Sequence, residues 1–71
     1  MPEIVVYAVE GRSLEQKQGL LRDITAAVVK NFDVPLGVVT VQIVECPADL
    51  KSKGGVPYSQ RAPATWAADQ K

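Results

Sequence analysis

The sequence predicts an α/β chain (α+β if its end is counted) built on one βαβ unit with parallel strands and a short C-terminal hairpin. Three observations carry this. Two runs dense in Val and Ile, Ile4 to Val9 and Val38 to Glu45, flank a long segment whose apolar residues recur at spacings of three and four. A connection of that length is what a parallel pair needs, and such crossovers are right-handed. Beyond the second run, Gly54-Gly55 marks a turn, after which Val56-Pro57-Tyr58 can form a return arm.

The first run is continuous in its apolarity, as suits a strand buried on both faces. Gly11 breaks it. Ser13 followed by Gln16 fits a capping box, in which the Ser hydroxyl accepts an amide hydrogen while the Gln side chain reaches back. The helix is predicted from Leu14 to about Asn31, with Leu20, Leu21, Ile24, Ala27 and Val28 as its apolar stripe. Glu15, Lys17, Gln18, Arg22, Asp23 and Lys30 fall mostly off that stripe and read as a solvated face. Pro35 prevents further helix and holds Val34 extended. Pro47 ends the second strand. The whole chain reads as one domain over residues 1–71, with 2–60 as its core and 61–71 as a weakly patterned tail. In that tail Trp66 is expected to pack against a neighbouring subunit.

One helix covers only one face of a two-stranded sheet, yet both strands carry apolar residues on both faces. Burying a Val or Ile contributes roughly 1.5–3 kcal/mol, so the uncovered face predicts an oligomer.

Composition narrows the function. Eight basic residues balance eight acidic ones, so no basic excess points to nucleic acid or a membrane surface. The single Cys46 and the absence of His allow neither an internal disulfide nor a zinc cluster, and Cys46 reads as a small, partly buried apolar residue. With no signal-peptide pattern or long apolar span, the expected location is cytoplasmic. No cofactor and no metal are expected.

Without His, the usual proton carrier near neutral pH is missing. Pro2 is its best replacement. Aminopeptidases remove an initiator Met that precedes a small residue, which would leave a secondary amine at Pro2. A free α-amino group titrates at roughly 7.7–8.0 before any environmental shift, and burial or nearby cations would lower that. A Pro at this position also serves merely to stiffen a strand start.

The company of Pro2 favours chemistry. The stretch Pro2-Glu3-Ile4-Val5-Val6-Tyr7-Ala8-Val9-Glu10-Gly11-Arg12-Ser13-Leu14-Glu15-Gln16-Lys17 resembles the start of the 4-oxalocrotonate tautomerase family. Asp33-Val34-Pro35-Leu36, Val39-Thr40-Val41-Gln42-Ile43-Val44-Glu45 and Gly54-Gly55 extend the resemblance to about residue 60. It implies a keto–enol tautomerase, an isomerase assembled as a hexamer. In it Pro2 is the general base and acid and Arg12 binds the carboxylate of a small enol or keto acid. A cation beside a helix N-terminus is electrostatically unfavourable, which a binding role for Arg12 explains better than a surface charge does. Its planar fork suits a carboxylate.

Two positions depart from the family pattern. Thr40 stands where the family carries a second Arg at the start of the second strand, reaching a neighbouring subunit's site. Leu50-Lys51-Ser52 stands where the family carries an aromatic residue. Thr40 offers only a neutral hydroxyl, while Lys51 is either a substitute cation or a solvated surface lysine; Arg61 is a further possible cation. Three readings follow. The first is a tautomerase for a different, monocarboxylate substrate. The second is a hydratase, dehalogenase or decarboxylase of the same superfamily, although no motif marks Glu3, Glu10 or Glu45 to activate water. The third is a non-catalytic subunit of a hetero-oligomer whose other chain supplies the missing Arg.

Overall fold

The computed structural model describes residues 1–60. Strand β1 (Glu3–Val9) is followed by helix α1 (Leu14–Phe32), strand β2 (Thr40–Cys46) and a two-residue-armed hairpin of β3 (Ser52–Lys53) and β4 (Val56–Pro57). β1 and β2 pair in parallel in a register that runs from Glu3 opposite Thr40 to Val9 opposite Cys46. β3 and β4 pair antiparallel. Arg61 and Trp66 lie outside the described residues.

The helix starts where its sequence signals place it. The Ser13 hydroxyl accepts a hydrogen bond from the Gln16 amide at 3.1 Å, and the Ser13 amide donates to Gln16 Oε1 at 3.0 Å. At the other end Asp33 takes a left-handed conformation (φ 55°) and donates its amide to Val29 O. The second strand begins two residues later than the sequence pattern suggests. Leu36–Val38 forms a 3₁₀ turn instead, closed by hydrogen bonds from Val38 to Pro35 and from Val39 to Leu36. At the hairpin, Gly54 (φ 63°) and Gly55 (φ 83°) both occupy the left-handed region. A two-residue turn of that shape matches the twist of the flanking strands and favours glycine.

Alternation along the strands separates two faces. Ile4, Val6 and Ala8 of β1, with Val41, Ile43 and Glu45 of β2, are half-buried. On the opposite face Val5 remains 40% exposed, Tyr7 71% and Val44 37%. Among the described residues no side chain is fully buried. Among the described residues the core is thus half-formed and one apolar sheet face is uncovered, as expected from one helix over two strands.

Two details of the helix correct the expected stripe. Leu21, Ile24 and Val28 are half-buried, whereas Leu20 and Ala27 are exposed. Both sit on the shoulder of the helix, turned from its inner line by the 100° step between successive residues. Lys17, expected on the solvated face, is half-buried on that inner line and pairs with Glu45 of β2 at 2.9 Å. Its long stem covers apolar surface while its ammonium reaches the carboxylate. Among the described residues no helix is long and apolar enough to cross a membrane.

Candidate active site

The charged candidates converge at the carboxyl end of the parallel pair. A cavity of about 400 Å³ is lined by Tyr7, Ala8, Val9, Glu10, Gly11 and Arg12 from the end of β1 and the turn after it. Lys51 and Tyr58 close it from the hairpin side. Open α/β sheets characteristically bind ligands outside the carboxyl ends of their strands, and the volume lies within the usual range of roughly 300–1,000 Å³ for small-molecule sites.

Local backbone structure builds each wall. The Glu10 amide donates to Cys46 O at 3.0 Å and so prolongs the β1–β2 ladder by one step. Gly11 then turns the chain with φ 135°, a conformation that side-chain-bearing residues rarely adopt, and thereby delivers Arg12 ahead of the helix cap. On the facing wall the Tyr58 amide donates to Lys51 O at 2.8 Å, tying the residue after the hairpin to the residue before it. Lys51 is half-buried rather than freely solvated.

Pro2 and Thr40 lie elsewhere. The Thr40 amide donates to Pro2 O at 3.1 Å, which places both at the amino end of the strand pair. β1 runs from this end to the cavity, which its last residues Tyr7, Ala8 and Val9 line, and the five steps from Pro2 to Tyr7 at about 3.3 Å per residue make roughly 16 Å. Pro2 is half-buried, Met1 before it is 95% exposed, and Thr40 is exposed at the start of β2. Within one chain the structure brings Arg12 and Lys51 to one cavity and leaves the proposed base at the opposite end.

Three lining residues with polar side chains, Tyr7, Glu10 and Tyr58, were not among the sequence candidates for binding. Tyr7 was accessible to inference, because strict alternation puts it on the same face as Val5. Glu10 adjoins Gly11 and Arg12, but nothing in its sequence context distinguishes it. Tyr58 reaches the cavity only through the hairpin's fold. Glu45, weighed as a possible water-activating carboxylate, is instead paired with Lys17 on the helix-covered face. Among the described residues no group of three potential metal ligands occurs.

Comparison with known proteins agrees with this architecture. The family profile described as tautomerase enzyme matches residues 2–59. The chain is 52% identical over 64 residues to a protein named probable tautomerase from Bradyrhizobium diazoefficiens, covering 90% of this chain and 96% of that one. It is 40% identical over 60 residues to a 2-hydroxymuconate tautomerase of a Pseudomonas strain, covering 84% and 95%. Among solved structures, a chain of the heterohexameric 4-oxalocrotonate tautomerase from Chloroflexus aurantiacus superposes with a TM-score of 0.81 at 37% identity, covering 87% of this chain and all of that one. With its βαβ unit, its N-terminal Met-Pro and its Gly-Arg-Ser turn, this chain belongs to the 4-oxalocrotonate tautomerase family of isomerases.

Proposed function

We propose that the chain moves a proton within a small carboxylate-bearing enol or keto acid, at a site completed by a second subunit. The observation that carries this reading is the separation of Pro2 from the Arg12 cavity by the length of β1. Family membership supplies the reaction class. The uncovered sheet face, with Val5, Tyr7 and Val44, supplies a reason to associate. Association into an oligomer, with a hexamer as the expected form, brings the Pro2 end of one chain to the cavity of another.

In the reaction, the Pro2 nitrogen, freed by removal of Met1, takes the proton of the substrate's enol hydroxyl. The O–H electron pair becomes part of a carbonyl, and the displaced C=C pair accepts the same proton at carbon from the Pro2 ammonium. Nothing is oxidised or reduced. Arg12 holds the carboxylate through two parallel hydrogen bonds. General acid–base transfer of this kind contributes typically 10²–10⁴-fold.

Complementation tests the shared site. Pro2→Ala and Arg12→Ala should each be nearly inactive alone. Mixed oligomers from co-expression should recover activity, because some sites then join an intact Pro2 to an intact Arg12. Mixed oligomers without recovery would mean that both residues act within one chain or that one of them has no role.

A second reading is supported by Thr40, which has no positive charge, and by similarity to a chain of a heterohexameric enzyme. In that reading this chain is one component of a hetero-oligomer, and a companion chain brings the Arg that position 40 lacks. Activity that appears only on addition of such a companion would support it.

A further inference from the structure

We propose that Lys51 donates to the oxygen on the substrate's second carbon, the one that alternates between enol and ketone, and so selects 2-oxo monocarboxylates. This rests on the tautomerase reading of the cavity and identifies the group that stabilises its reacting oxygen.

Lys51 is half-buried and shares the cavity of about 400 Å³ with Arg12, although the two are held on different elements. The hydrogen bond from the Tyr58 amide to its carbonyl fixes the Lys51 backbone at the cavity wall. The chemistry of the two cations divides their tasks. A guanidinium presents a planar fork that matches both oxygens of a carboxylate, whereas an ammonium is a compact point charge suited to one oxygen. Arg12 therefore takes the carboxylate and Lys51 the single oxygen beside it.

Charge balance selects a monoacid. Among the described residues the charged lining ones are Arg12, Lys51 and Glu10, two positive and one negative. One substrate carboxylate balances these three, while a dicarboxylate leaves an excess of negative charge. Proton transfer preserves that balance. As the enol hydroxyl loses its proton to Pro2, an anionic oxygen forms opposite the Lys51 ammonium and a cation forms at Pro2. Thr40, which travels with Pro2 at the amino end, cannot supply this charge, since its hydroxyl is neutral.

The test compares 2-oxobutanoate with butanoate as ligands of the oligomeric protein, and measures turnover of the matching enol acid. Lys51→Met keeps the stem and removes the charge; Lys51→Arg keeps a charge. The unaltered protein should bind 2-oxobutanoate about tenfold more tightly than butanoate, as a hydrogen bond from a charged donor typically allows. Lys51→Met should erase that preference, weakening 2-oxobutanoate about tenfold more than butanoate, which loses only the through-space attraction of the ammonium. It should lower kcat by about 10²-fold, as loss of an oriented oxyanion donor does, and Lys51→Arg should restore part of it. Equal weakening of both ligands would assign Lys51 to the carboxylate and overturn the proposal. An undiminished preference in Lys51→Met, or no preference in the unaltered protein, would overturn it too. Absence of any turnover in the unaltered protein would defeat the tautomerase reading separately, while the binding comparison would still decide the role of Lys51.

Discussion

The two ends of the β1–β2 pair are built from the same strands and differ in nearly everything else. At the amino end, Pro2 and Thr40 are joined by one backbone hydrogen bond, with no charged side chain but Glu3 in the adjoining register. At the carboxyl end, a glycine turn and a folded-back hairpin place Arg12, Lys51 and Glu10 around a cavity. One end has the candidate base Pro2 without a cation beside it in the strand register, and the other has two cations at a cavity without Pro2. A parallel strand pair cannot bring its own ends together. The difference teaches why the function proposed above is assigned to the contact between chains.

Four changes would break or sharpen that contrast. The largest effect belongs to the amino end. Pro2→Ala should lower kcat by about 10²-fold or more, in line with the usual contribution of a positioned base. At the opposite end, Arg12→Lys should raise KM for carboxylate substrates and only partly preserve kcat/KM, because the two-toothed geometry is lost. Steady-state kinetics on an enol acid checks both. If both variants show the same rise in KM with kcat intact, the division of labour between the ends is wrong.

A gain is expected from giving the amino end a charge. Thr40→Arg should raise activity toward 2-hydroxymuconate-like diacids at least tenfold, since one oriented donor contributes about 2.7–4 kcal/mol. The gain should require the intact oligomer. A variant that assembles normally without gaining diacid activity would mean that the pocket is shaped for another substrate.

The smallest effect lies between the ends. Gly19 sits inside α1, and a Cβ there would meet only Arg22 Nη2 at 3.8 Å, an ordinary contact. Gly19→Ala should therefore stabilise the protein by about 0.5–1 kcal/mol through helix propensity, with kinetics at both ends unchanged. Thermal unfolding together with kcat/KM reads this. A loss of stability would show that Gly19 is needed for close approach in the assembled protein.

Much of the fold is legible because its signals are local. The Ser13–Gln16 box, the Gly11 break and the Gly54-Gly55 turn each act within a few residues, and each forms where its chemistry predicts. Failures begin where geometry depends on residues far apart. Leu20 and Ala27 satisfy helical spacing, yet the rotation of the helix against the sheet is set by Leu21, Ile24, Val28 and the Lys17–Glu45 pair. The placement of Lys51 likewise depends on the hairpin folding back through Tyr58. Spacing along the chain carries no trace of that closure. Arg12 could be singled out because Gly-Arg-Ser is contiguous, whereas Glu10 and Tyr58 join the cavity only in three dimensions.

The absence of any fully buried side chain among the described residues makes protein concentration a variable of the enzyme's behaviour. When much of a chain's apolar burial is gained from its neighbours, mass action couples folding to the number of chains present. Dilution should then lower specific activity below a threshold concentration. The melting temperature should climb as the sample is concentrated, and a ligand that bridges two subunits should steepen that climb.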